Sequence, residues 1–187
     1  VMKEALGFDK SERGLPYIVV QTSQMSDYNR RESRTAFSQP GMRYSQAEAL
    51  IKSLMQDDMF RGLSFEERKR VTERIIDEIK GRMMEDIVLL ETKLAKKDKH
   101  VFKLQFPIGE FDMVVQDPKT LSCEIYEIKY SKERACEQYR HINDEEKCAM
   151  TTHRYGNITG RYVIYRGENT EMDTIQYLNV EDYLKSL

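Results

Sequence analysis

Residues 109–130, G-E-F-D-M-V-V-Q-D-P-K-T-L-S-C-E-I-Y-E-I-K-Y, restrict the fold more than any other part of the chain. Two runs rich in Val, Ile, Phe and Tyr flank a turn-forming segment, Asp117, Pro118, Lys119 and Thr120, which is the pattern of a β-hairpin. With the loop centred between Lys119 and Thr120, Asp112 falls opposite Glu127, and directly opposed residues share a face. Lys129, two positions on, points the same way, while Met113, Tyr126 and Ile128 fall on the other face. Two carboxylates and an ammonium therefore meet on one surface, where like charges cost stability unless something compensates. A divalent cation with oxygen ligands, held by Asp112 and Glu127 with Lys129 steadying a water or an anion, is the natural compensator.

Upstream, Ser64, Phe65, Glu66 and Glu67 spell a capping box, in which a Ser hydroxyl and a Glu carboxylate satisfy free amides at a helix start. Val71, Ile75, Ile79, Met83, Ile87, Leu90 and Leu94 then recur at spacings of three or four, so one apolar stripe runs through about 30 residues without a proline. Up to Lys80 the opposite face is heavily charged. After Gly81 the helix is apolar almost all round, which predicts burial on more than one side. Glu85 stands inside that half, sharing a face with Gly81 and Leu89, and a carboxylate there requires a partner or an edge that reaches solvent.

The helix end and the next strand carry Lys93, Lys96, Lys97, Lys99, His100 and Lys103. Such a cluster complements the helix dipole or holds a phosphate backbone near the carboxylates. Strands are expected at 101–106, 161–165 and 174–178, and helices at 132–143 and 145–153, with Asn179 capping a closing helix to Leu187. Toward the beginning, residues 17–22 suit a short strand. Residues 23–40 are polar, with Arg30, Arg31 and Arg34 close together, and read as an extended solvated segment. A second capping box, Ser45, Gln46, Ala47 and Glu48, predicts a helix start there, with Ala47, Leu50, Ile51 and Leu54 on its apolar face.

Composition bounds the rest. The 187 residues are 40% hydrophobic, enough for one medium domain or a core domain with an appended helical piece. A formal net charge of -2 offers no global electrostatic case for nucleic acid and leaves only local basic patches. Cys123, Cys136 and Cys148 form no CxxC and cannot all pair, which suits a reducing, cytoplasmic setting, and no apolar run is long enough to span a membrane. Opening at Val1 fits a fragment of a longer polypeptide. Cys136, His141, Cys148 and His153 are ligand types for zinc, but their spacing matches no closed structural site, and packing and hydrogen bonding are their expected roles.

Asp112 followed by Glu127, Ile128 and Lys129, behind a helix bearing an acidic residue, resembles the core of the PD-(D/E)XK nuclease superfamily. The Pro of that motif has no counterpart, since Phe111 precedes Asp112. The resemblance implies a restriction-endonuclease-like α/β (α+β) fold: a mixed central sheet flanked by helices in the order α-β-β-β-α-β, with an N-terminal helical or irregular extension. It maps Glu85 onto the acidic helix position. It implies catalytic Asp112, Glu127 and Lys129, and a Mg²⁺ or Mn²⁺ site of Glu85, Asp112 and Glu127 with the Ile128 carbonyl. Glu110, Gln138 and Tyr139 lie at the expected site periphery. The latter two are similar to the Gln-x-x-x-Tyr feature of the RecB-like branch, although Ile142 stands four places after Gln138.

A resemblance covering nearly the whole chain rests on residues 39–50 (Q-P-G-M-R-Y-S-Q-A-E-A-L), 81–93 (G-R-M-M-E-D-I-V-L-L-E-T-K), G-E-F-D-M-V-V and E-I-Y-E-I-K-Y. These phrases look like the C-terminal part of prokaryotic AAA+ family ATPases that carry a nuclease-like domain after the motor. It implies that residues 1–63 end a preceding ATPase module and that 64–187 are the nuclease-like domain. Arg43, in Gly41-Met42-Arg43, is similar to a sensor-2 arginine aimed at a nucleotide of that module. No G-x-x-x-x-G-K-[ST] loop is present, so ATP hydrolysis is not expected of this chain alone. The implied partners are nucleic acid and an AAA+ module in cis or on a second protomer, with no membrane. Two functions follow: a metal-dependent phosphodiesterase, or a non-catalytic module that keeps the nuclease fold for docking, nucleic-acid binding or control of the ATPase.

Overall fold

The structure is a computed structural model that describes residues 19–20, 36–37, 41–134 and 140–187. Near the N-terminus, β1 (Val19–Val20) pairs antiparallel with β2 (Ala36–Phe37). Helix α1 (Gly41–Leu54) follows directly after Pro40. The expected start at Ser45 is therefore four residues late. Ser45 is an exposed interior residue, and Glu48 pairs with Lys52 one turn on, at 2.7 Å, instead of closing a capping box. Arg43 falls in the first turn of α1. A short helix that the sequence pattern did not signal, α2 (Asp58–Gly62), starts where Asp57 accepts a hydrogen bond from the Phe60 amide.

Helix α3 (Phe65–Ala95) runs 31 residues from the expected capping box, with Ser64 and Glu67 satisfying each other's amides. Its buried side differs from the expected stripe. Met84, Val88, Leu89 and Thr92 are buried, whereas Val71 and Leu94 are exposed. The buried core takes its α3 residues from the second half of the helix, Met84, Val88 and Leu89, and Val71 lies outside it. The residues from Gly81 to Leu90 are all at least half-buried, as their apolar character predicts. Helix α1 packs on α3, which ties the N-terminal region to the rest of the fold.

The central sheet is mixed, with six strands in the order β3-β4-β5-β6-β8-β7. β3 (His100–Gln105), β4 (Glu110–Asp117) and β5 (Ser122–Ile128) form an antiparallel meander. The chain then crosses by α4 (Glu145–Tyr155) to β6 (Asn157–Tyr165), which runs parallel to β5. β7 (Thr170–Met172), which the sequence pattern did not signal, pairs antiparallel with β8 (Ile175–Asn179), itself parallel to β6. Asn179 caps α5 (Val180–Ser186), accepting from the amides of Glu181 and Asp182. The helix expected at 132–143 is not formed in its described parts: 132–133 bend, 134 is irregular and 140–143 form a turn, while 135–139 lie outside the described residues.

Each face of the sheet has its own core. Met113, Val115, Tyr126, Ile128 and Ile164 pack with Met84, Val88 and Leu89 of α3 and Tyr183 of α5. The Thr92 hydroxyl, 2.8 Å from that of Tyr183, pins the two helices together. On the other face Phe111, Val114, Ile125, Val163 and Tyr177 pack with Ile142 and, at the margin, with Cys148 and Tyr155 of α4. Fully burying side chains such as Val88 and Ile125 stabilises the fold by about 1.5–3 kcal/mol each. The candidate site lies at the end of β4 and β5 where the register of β4 against β3 shifts.

Candidate active site

The hairpin registers as its sequence predicts. Met113 stands opposite Tyr126 and Asp117 opposite Ser122, and the same register one step further brings Asp112 beside Glu127. What the alternation did not foresee is a β-bulge. Phe102 faces Val114, but Leu104 faces Phe111, so Asp112 and Met113 together oppose the single residue Lys103. The bulge switches parity within β4: Phe111 joins the core under α4, whereas Met113 joins the core under α3. Asp112 sits at that switch and can address both faces of the sheet.

Asp112 Oδ2 accepts from the Ile128 amide at 2.8 Å and from Lys129 Nζ at 3.2 Å. Lys129 Nζ also lies 2.7 Å from Glu127 Oε2. Both carboxylates are buried, Glu127 almost completely, while the lysine remains a third exposed. Main-chain bonding continues past the end of β5, with Lys129 N donating to Ile164 O at 2.9 Å, so the lysine is held by the sheet rather than by a loop. Burial, together with the Asp112 charge, pushes the Glu127 carboxyl up to about 8, against the pull of Lys129. The Lys129 ammonium is disfavoured by burial, but Asp112 and Glu127 outweigh that and raise it above its ordinary value. Glu127 Oε1 is buried without a hydrogen-bond partner among the described residues.

Glu85 approaches from α3 on the other side. The space that Gly81 leaves, one turn before it, is met by Tyr130 Cβ, 3.7 Å from where a glycine-replacing Cβ would stand. The partner that Glu85 required is Lys103 Nζ at 2.6 Å, a pair in which the lysine is 9% and the glutamate 18% exposed. Burial and the Asp112 charge raise the Glu85 carboxyl, Lys103 lowers it, and Glu110 raises it further. Lys103 is depressed by burial yet ends above its ordinary value through Glu85, Asp112 and Glu110. Glu110, at the start of β4, has its Oε2 3.5 Å from Gln105 Nε2. Asp112 thus bonds to Lys129 beside Glu127, and its charge also bears on the Glu85–Lys103 pair.

The expected basic cluster disperses. His100 faces Gln116 and Lys99 pairs with Asp117 at 4.0 Å, both at the hairpin-turn end of β4, roughly 15 Å along the strand from Asp112. Lys96 pairs with Glu124 at 3.5 Å. Only Lys103 of that group reaches the carboxylates, because a strand carries alternate residues inward while the helix end carries the others away.

Gln138 and Tyr139 lie outside the described residues, as do Cys136 and the side chain of Arg43. The structure adds two residues that the hairpin pattern could not signal, His141 and Lys147. The His141 ring abuts Gly109, where an added Cβ would stand 2.5 Å from Cε1, and its Nδ1 is 2.8 Å from Lys147 Nζ. Burial lowers the proton affinity of the imidazole, as do the charges of Lys147 and Lys129, with Asp112 opposing them. No spacing rule links Lys147 to a hairpin whose last strand ends 19 residues earlier; the link exists only in three dimensions.

Among the described residues, no group of three or more His, Cys, Asp or Glu side chains is disposed to hold a metal ion. Asp112 and Glu127 form a carboxylate pair, and Glu85 stands apart on Lys103. The pair nonetheless suits a hard cation: its donors are carboxylate oxygens, and one of them, Glu127 Oε1, lacks a partner. No helix among the described residues is long and apolar enough to cross a membrane. No protein-family model, curated protein or solved structure matches this chain.

Proposed function

We propose that this chain is a Mg²⁺- or Mn²⁺-dependent nuclease module with a restriction-endonuclease-like core, part of a larger AAA+ ATPase-type protein. The observation that carries the reading is the buried Glu127, whose Oε1 has no partner and whose Oε2 meets Lys129 beside Asp112. Two buried carboxylates side by side cost stability when both are ionised, and a divalent cation between them offsets that cost. The element order α3-β3-β4-β5-α4-β6, with the four strands adjacent in that order, supports the fold assignment. The AAA+ connection rests on the resemblance of residues 39–50, 81–93, 109–115 and 124–130.

Asp112 and Glu127, with the Ile128 carbonyl, would hold the cation, and Glu85 would act on it from α3 through Asp112. A bound divalent cation at such a site makes water more acidic and offsets charge on a phosphoryl oxygen. The residues themselves do the rest. Asp112 is oriented by the Ile128 amide, which fixes Oδ2 and so the direction of the whole carboxylate. Lys129, tied to β6 by its main-chain amide and partly open to solvent, stabilises negative charge developing on a phosphodiester and positions the attacking water.

A second reading has one observation in its favour: Lys129 and Lys103 already neutralise much of the three carboxylates, as a docking or regulatory module retaining the fold would have them. The deciding experiment is cleavage of labelled single-stranded and duplex DNA and RNA with Mg²⁺ or Mn²⁺, using EDTA and the Glu127→Ala and Lys129→Ala variants as controls. Metal-dependent cleavage lost in both variants supports the nuclease. Activity that ignores metal or mutation overturns it, and binding without cleavage in the wild type moves the assignment to the docking module.

A further inference from the structure

Lys147 is 8% exposed, an unusual place for an ammonium. It is held on three sides: by Asp144 Oδ2 at 3.4 Å, by the Phe106 ring, whose centroid is 5.7 Å away, and by His141 Nδ1 at 2.8 Å. An ammonium can only donate, so Nδ1 accepts and the proton of the neutral ring sits on Nε2. Nε2 has no partner among the described residues, and it is not among the side-chain atoms sealed from solvent. The ring is seated in the space that a side chain at Gly109 would take. Gly109 precedes Asp112 by three residues at the mouth of the β3–β4 turn, which is closed by the Phe106 amide on Gly109 O at 3.0 Å. Its neighbour Ile142 packs on the sheet face that Cys123 and Ile125 share with Glu127 by alternation, and the ring meets Gly109 at the Asp112 end of β4, so His141 stands at the rim of the carboxylate site.

We infer that His141 is a substrate-binding residue, donating from Nε2–H to a phosphate oxygen of the nucleic-acid strand bound at Asp112, Glu127 and Lys129, with Lys147 as the positioning residue that sets its tautomer. The inference rests on the nuclease reading for the identity of the strand. Its chemistry is that of a fixed neutral donor: it adds a directed hydrogen bond to an anion without adding a charge that would repel a cation held by the carboxylates.

Two substitutions separate binding from structure. In His141→Asn the amide oxygen can replace Nδ1 as acceptor for Lys147 but leaves no donor at the Nε2 position. In His141→Gln the amide nitrogen reaches the Nε2 position but leaves Lys147 without its acceptor. Affinity for labelled single-stranded and duplex DNA and RNA is read by fluorescence anisotropy with Ca²⁺ or EDTA, alongside the melting temperature and its shift with Mg²⁺. The inference expects binding to weaken roughly tenfold in His141→Asn, with melting temperature kept, and to persist in His141→Gln despite a lower melting temperature. Binding that follows melting temperature instead, or is equal in both variants and the wild type, overturns the role of His141 and leaves the nuclease reading standing. Absence of binding by the wild type itself overturns both.

Discussion

Lys129 Nζ lies 2.7 Å from Glu127 Oε2, while Oε1 of the same carboxylate is buried with no partner. Asp112 and Glu127 are brought side by side only in the folded chain, so a cation held by both carboxylates binds the native state alone. Millimolar Mg²⁺ or Mn²⁺ should therefore raise the melting temperature, since a ligand at about 100 times its Kd contributes about 2.7 kcal/mol. In Glu127→Ala the shift should vanish, although the apo variant need not be less stable, because a costly buried carboxylate has been removed. Differential scanning fluorimetry of both proteins checks this, and a wild-type melting temperature indifferent to both metals removes the cation site.

The same carboxyl sets a pH dependence. Burial and Asp112 raise Glu127 from 4.5 to about 8. Between those values the folded protein keeps a proton that the unfolded chain has released, so the native state binds more protons and stability falls as pH rises. This contribution is fully present below the unfolded value of 4.5 and is lost as pH climbs through about 8. Urea unfolding of the metal-free protein should show that decline, and Glu127→Gln should flatten it. Because the proton must leave before the carboxylate can coordinate, Mg²⁺ affinity should rise roughly tenfold per pH unit within the window and level above it. Calorimetric titration in buffers of different ionisation heat should count close to one proton released.

The hairpin was legible in the sequence because turn residues fix a register and strand alternation has a period of two, which together bring Asp112, Glu127 and Lys129 to one end of the hairpin. The long helix was legible from its cap. Its buried face was not, because the apolar stripe continues beyond the half that the sheet covers, and Val71 and Leu94 satisfy the period without meeting a partner. The bulge at Asp112 was illegible for another reason. Nothing in G-E-F-D-M-V-V distinguishes two residues opposite one from plain alternation, and only pairing with β3 imposes it. The choice of Lys103 for Glu85, out of six basic residues in 93–103, likewise depends on which side of β3 faces the helix.

That pair carries its own prediction. Lys103 lies on the α3 face of β3, its neighbours Phe102 and Leu104 both belonging to the opposite core. Glu85→Ala leaves its ammonium buried without the nearest counter-charge, at a cost of about 3 kcal/mol. Lys103→Met in that background should recover most of the loss, since a well-packed apolar side chain replaces a buried ion pair at little cost. A double-mutant cycle by urea denaturation measures the coupling. Additive losses would mean that the 2.6 Å contact contributes nothing to stability.

Lys129 joins stability to catalysis. Its ammonium lies within 3.2 Å of Asp112 and 2.7 Å of Glu127, so Lys129→Ala leaves two neighbouring buried carboxylates facing each other with no cation between them. The apo variant should melt lower than wild type, and Mg²⁺ should restore more of its stability than it adds to the wild type, because a divalent cation replaces the missing charge as well as completing Glu127. Cleavage behaves differently. A hard cation can neutralise the carboxylates, but it cannot stand where Lys129 stands relative to a phosphodiester. The turnover of a metal-saturated Lys129→Ala protein should therefore fall by about two orders of magnitude or more, the scale of losing one preorganised electrostatic stabiliser. Melting curves across a Mg²⁺ series, paired with single-turnover cleavage at saturating metal, read both quantities on one variant. Restored stability with wild-type cleavage would show that Lys129 serves the fold alone.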